Sequence, residues 1–201
     1  YFTANSEQYR QLTAGAPEVP YSNYGRELWA VDAPGATPRV VKDIYPDANS
    51  SSPQSLTAVG GTLYFAAFTP AGGQELWKSD GTAAGTVLVK DVYPGTNSSN
   101  LQNFRAAAGA LFFTANDPVY GTEVWTTDGT TAGTRPAYDV NQISAGSGPS
   151  GAVEVGGVRY FAATDPLGGA ELWRTDGTEA GTYRVKDINP GATGSGPTGL
   201  V

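Results

Sequence analysis

One tripeptide constrains this chain more than any other feature. "ELW" stands at Glu27–Trp29, Glu75–Trp77 and Glu171–Trp173, with "EVW" at Glu123–Trp125, so each step is 48 residues. An aromatic pair keeps the same period, at Tyr64, Phe112 and Tyr160. "YFTAN" at Tyr1 is the fourth copy. It precedes its Glu by 26 residues rather than 11, so the first unit carries 15 extra residues within about Ser6–Gly25. A chain that repeats at a fixed period folds as repeated supersecondary units that bury their faces on one another.

The second unit shows what each repeat contains. Four strand signals, "SLTAV" at Ser55, "TLYFAAF" at Thr62, "QELWKS" at Gln74 and "TVLVKDV" at Thr86, are separated by Gly60-Gly61, by Pro70–Gly73 and by Asp80-Gly81. Short β-rich runs punctuated by Gly and Pro predict an antiparallel meander. Four strands in about 48 residues is the size of a propeller blade, whose faces are both covered by neighbours. The expected fold is therefore all-β. It is a single four-bladed β-propeller domain over 1–201, with four-stranded units at about 1–52, 53–100, 101–148 and 149–196. Leu200 aligns with Leu56, so residues 197–201 are expected to complete the first blade by pairing the terminal strands. The other reading is an excerpt of a longer repeat array.

Composition narrows the chemistry. The net charge of −7 disfavours nucleic acid as a partner, because phosphate binding needs basic patches. Cys, His and Met are all absent. That removes disulfides, thiol catalysis, Cys-ligated zinc and the commonest general base. No apolar run reaches the length of a membrane-spanning helix, so no membrane insertion is expected. A chain without oxidisable Cys or Met suits an extracellular setting.

The stretches "ELWKSDGTAAGT…VKD", "EVWTTDGTTAGT" and "ELWRTDGTEAGT…VKD" resemble the ELWxxDGT repeat of large secreted or surface bacterial proteins. The first unit departs from it at "ELWAVDAPGATP", and the third lacks the Lys at "AYDV". The resemblance implies a β-rich repeat domain on an extracellular protein. It implies no particular reaction.

The repeated residues need physical reasons. Trp29, Trp77, Trp125 and Trp173 are expected in the core between units. Asp32, Asp80, Asp128 and Asp176 are expected to accept hydrogen bonds from amides of their own turns, with Gly81 and Gly85 easing the turn. Folding the hairpin about Ala83 places Trp77 opposite Val89 and Glu75 opposite Asp91. The same arithmetic pairs Glu27 with Asp43, Glu123 with Asp139, and Glu171 with Asp187. Carboxylates directly across a strand pair repel. Four such pairs imply neutralisation by Ca²⁺, by the neighbouring Lys42, Lys90 or Lys186, or by backbone amides. These eight carboxylates are the candidate metal ligands. A catalytic pair is not expected, because chemistry needs one asymmetric site rather than four equivalent ones.

Meander geometry puts the 15-residue insertion on the same face as the links "YPDANSSSP", "YPGTNSSN", "NQISAGSGPS" and "NPGATGSGP". That face is rich in Tyr, Asn, Ser and Gly, which suits a binding surface. Tyr9, Tyr21, Tyr24, Tyr45 and Tyr93 are the candidate ligand contacts. The expected function is a non-enzymatic extracellular binding or adhesion module for a glycan or protein, with Ca²⁺ as a candidate cofactor. A second class is a self-assembling subunit of a surface layer or filament. A third is a propeller glycosidase, for which Glu7 or Glu18 would supply an unrepeated acid.

Overall fold

The computed structural model describes residues 2–3, 24–142 and 145–201. Among them there is no α-helix, and the strands form four antiparallel sheets in chain order. The first sheet contains β1 (Phe2–Thr3), β2 (Leu28–Ala30) and β3 (Arg39–Lys42). The second contains β4 (Gln54–Val59), β5 (Thr62–Thr69), β6 (Gly73–Ser79) and β7 (Val87–Lys90). The third contains β8 (Gln102–Ala107), β9 (Ala110–Asp117), β10 (Gly121–Thr127) and β11 (Arg135–Pro136). The fourth contains β12 (Ser150–Val155), β13 (Val158–Asp165), β14 (Gly169–Thr175) and β15 (Tyr183–Lys186). Each sheet is a meander, as the punctuation predicts. Residues 187–201 form no strand.

The chain divides into two compact units, Tyr1–Ser98 and Ser99–Val201, with two sheets in each. In the first unit Leu28, Val41 and Ile44 pack with Leu63, Phe65 and Ala67, and Trp77 joins at the edge. In the second, Phe112, Val124 and Val140 pack with Phe161, Ala163 and Trp173. The middle strands are buried on both faces: Leu63 through Ala67 are all buried in β5, as are Leu111 through Ala115 in β9. That is why these strands read as continuous apolar runs rather than alternating ones.

Two details of register depart from simple alternation. The first strands shift against the second between Gln54 and Thr57, Gln102 and Arg105, and Ser150 and Val153. Each shift contains one residue with left-handed backbone, Ser55, Asn103 or Gly151. The hairpin register is also corrected. Leu76 pairs with Lys90, as folding about Ala83 requires, but Trp77 pairs with Leu88 rather than Val89. A β-bulge absorbs one residue between them. The first and fourth sheets do the same, with Trp29 opposite Val40 and Trp173 opposite Arg184. In the third sheet Trp125 faces Pro136, and the outer strand is only two residues long. Proline has no N–H for a ladder and is confined to such edges.

Candidate functional site

The four repeated Glu residues are among the most buried side chains of the chain: Glu27, Glu123 and Glu171 are 0% exposed and Glu75 is 1%. Each stands just after the Gly corner that opens or precedes the third strand. The strand's turn-away and the following link supply donors to the carboxylate. Glu27 accepts from the amides of Ile44 at 3.0 Å, Tyr45 at 3.4 Å and Ser51 at 2.9 Å, and from the Ser51 hydroxyl at 2.6 Å. Glu171 repeats the set with Ile188 and Asn189 at 3.2 Å and with the Ser195 amide and hydroxyl at 2.8 and 2.6 Å. Glu123 accepts from the Ser147 amide at 2.7 Å and its hydroxyl at 2.6 Å. The Val92 amide donates to Glu75 at 2.8 Å.

The serine has a second role. Its carbonyl accepts from the next sheet: Phe68 N donates to Ser51 O at 2.7 Å, and Thr164 N to Ser147 O at 2.9 Å. Glu27 and Ser51 therefore join the first sheet to the second, and Glu123 and Ser147 join the third to the fourth. Charge-assisted bonds from N–H and O–H groups are about twice as strong as neutral ones. They offset part of the cost of burying a carboxylate at the joint. Burial nevertheless outweighs these donors at Glu27, whose carboxyl is raised above its ordinary value. Burial pushes the Glu123 carboxyl up to about 7, against the lowering effect of Ser147.

The aspartates of the expected pairs behave differently. Asp139 Oδ1 accepts from Gln142 N at 2.8 Å. Asp43, Asp91 and Asp187 each keep one buried Oδ1 without a hydrogen-bond partner. Among the described residues no group of three or more acidic side chains comes together as a metal site. It is the Glu, rather than the Asp, that receives the amides of the "DVYPG" turn.

The "DGT" turn is closed by its own side chains. Asp80 Oδ1 accepts from the Thr82 amide at 2.8 Å and hydroxyl at 2.7 Å; Thr82 Oγ1 then accepts from Gly85 N at 2.9 Å. Asp128 and Asp176 repeat this. The Thr82 hydroxyl and amide hold the Asp80 carboxyl below its ordinary value. In the first 48-residue repeat, which lacks the motif, Asp32 instead pairs with Arg39 at 3.0 Å.

A concave site lies on the link face of the second compact unit, between the third and fourth sheets. A cleft of about 550 Å³ is lined by Tyr138, Gln142, Asp165, Leu167, Trp173 and Arg184, among others. Gln142 Nε2 donates to the Tyr138 hydroxyl at 3.3 Å, and Arg184 Nη1 to Asp165 Oδ2 at 3.3 Å. Trp173 is 7% exposed, and its Nε1 is buried with no hydrogen-bond partner. Leu167 at the rim is 83% exposed.

Of the expected tyrosine contacts, Tyr9 and Tyr21 lie outside the described residues, as do Glu7 and Glu18. Tyr24 is exposed and meets Trp29 edge-on, with ring centroids 6.3 Å apart. Tyr45 is half-buried against Phe68, with centroids 5.9 Å apart, and Tyr93 is half-buried. None of the three lines the cleft. Sequence reasoning missed Ser51, Ser147 and Ser195, although each follows its Glu by 24 residues and Ser99 continues the series. It also passed over Tyr138, which stands where the first, second and fourth units have Lys42, Lys90 and Lys186. No known family model and no curated protein matches the chain.

Proposed function

We propose that this chain is a non-enzymatic extracellular binding module that recognises a glycan through the link face. The cleft of the second unit carries this reading. Its volume falls within the range typical of small-molecule sites, roughly 300–1,000 Å³. It combines aromatic groups, Tyr138 and Trp173, with an amide and a charged pair, Gln142 and Arg184–Asp165. Rings stack on the apolar faces of sugars, while amide and charged groups bond their hydroxyls. The repeated Glu carboxylates act in this reading as structural joints, since protein donors already meet them. The ELWxxDGT-like repeats support a secreted or surface location, and glycan or protein ligands of that setting are the natural partners.

The test is titration with oligosaccharide panels, read by tryptophan fluorescence. Binding is expected in the wild type, with at least tenfold weaker affinity in Tyr138→Ala. Binding unchanged by Tyr138→Ala would move the site elsewhere on the link face.

The same reading takes the four sheets as blades of one propeller. The regular 48-residue spacing and the two-sided burial of the middle strands support it. So does a backbone signature: Gly196 and Gly199 have the left-handed conformation found at Ser52 and Ser55, Asn100 and Asn103, and Gly148 and Gly151. The C-terminal segment thus carries the opening of another first strand, suited to joining the first blade. A second reading, self-assembly into a layer or filament, is favoured by the outer strands. Leu88 on β7 and Tyr183 and Val185 on β15 are 44%, 47% and 44% exposed. Edge strands with exposed apolar groups accept further strands.

A further inference from the structure

One core position of β13 departs sharply from the repeat. The second residue of β5 is Leu63 and that of β9 is Leu111, 6% and 0% exposed; the corresponding residue of β13 is Arg159, 3% exposed. A guanidinium thus occupies a position that two other sheets fill with leucine. A buried arginine ordinarily meets its five N–H donors with acceptors. Arg159 Nη2 donates to Asn103 O at 3.0 Å, but Nε and Nη1 are buried with no partner. Glu154 lies opposite it in the β12–β13 ladder, yet among the described residues no ion pair joins them.

Arg159 lines a cavity of about 210 Å³, together with Arg105, Glu154, Phe112, Ala107 and Val153. Arg105 is a second break in the repeat, since Thr57 and Val153 hold its position in the neighbouring units. Burial, and then the charge of Arg105, lower Arg159 to about 10, so it is still a cation at neutral pH. Two guanidinium groups and one carboxylate leave the lining one positive charge. The walls formed by Phe112, Ala107 and Val153 are apolar.

We propose that this cavity binds a small carboxylate with an apolar or sugar body. A single negative charge balances the lining, and a carboxylate presents two acceptor oxygens to the guanidinium fork. A phosphate dianion would leave an excess charge beside Glu154. The site lies near the Gly156-Gly157 turn, whereas the glycan cleft includes Asp165 at the far end of β13. The two proposals therefore stand independently.

Thermal unfolding at fixed ionic strength tests it, with benzoate, glucuronate, sulfate and chloride as the probes. A saturable rise in melting temperature of a few degrees is expected with a carboxylate. The rise should vanish in Arg159→Leu, which is expected to fold because leucine holds this position in two other sheets. Arg105→Gln should retain the fold and weaken saturation at least tenfold. Tighter saturation by glucuronate than by benzoate identifies an acidic sugar as the occupant; the reverse identifies a free aromatic or aliphatic acid. Equal responses in wild type and Arg159→Leu, or no saturable response in either, overturn the site and leave Arg159 with the Asn103 carbonyl alone. Stronger saturation by sulfate than by any carboxylate overturns the assignment of ligand class.

Discussion

At the scale of the residue, steric room decides which positions the repeat holds. A Cβ on Gly85 would lie 2.1 Å from Asp80 Oδ1, and Gly133 and Gly181 face Asp128 and Asp176 at 2.1 and 2.0 Å. Gly85→Ala is therefore expected to destabilise the fold by about 1–3 kcal/mol in denaturant unfolding, the usual range for overpacking. Charge makes a different prediction at Glu123. Its folded value is raised to about 7 by burial, so between its ordinary value of 4.5 and about 7 the folded state holds the proton more tightly than the unfolded chain. Stability from this group is full below that window and is lost as pH rises through it. The difference in unfolding free energy between wild type and Glu123→Gln should change over that window. A difference that stays constant from pH 4.5 to 7 would mean that Ser147 alone sets the titration. Both features were half legible in sequence. "DGTxxGT" announced a turn, but the contact that forbids a side chain at its last Gly exists only once the turn closes.

At the scale of the element, the unit of construction is the joint between two sheets. Glu27 holds the end of β3 through Ile44 and the start of the next unit through Ser51, and the Ser51 carbonyl then reaches β5. The sequence announced a carboxylate problem through its Glu and Asp at paired positions. It did not announce the answer, because the donors come from a serine 24 residues away in a link that looks like ordinary loop. The Trp register failed for a related reason. A bulge adds one residue to an outer strand and cannot be read from a symmetric turn. Because the Glu carboxylates already have protein donors, millimolar Ca²⁺ added to EDTA-stripped protein is expected to leave the melting temperature unchanged. A rise of a few degrees, lost in Asp43→Asn or Asp91→Asn, would instead make the partnerless Asp oxygens cation ligands.

At the scale of the whole molecule, the propeller proposal has a size attached. A compact chain of 201 residues has a radius of gyration of about 16–17 Å. Small-angle scattering is expected to return that value with the mass of one chain. A longer, open particle would refute the closed ring, and a mass that grows with concentration would favour assembly through the outer strands.

The 48-residue period by itself determined the all-β class, the number of sheets, their meander order and the burial of Trp29, Trp125 and Trp173, with Trp77 half-buried. Those properties follow from local chemistry: turn residues at fixed offsets and apolar runs between them. Tertiary structure alone decided which donors meet the buried carboxylates, where the bulges fall, and that Tyr138, Trp173 and Arg184 line one cleft. The repeat hides such facts because it reports what the units share. The cleft and the Arg159 cavity arise where two units differ and their unlike residues meet across sheets, a juxtaposition that exists only in three dimensions.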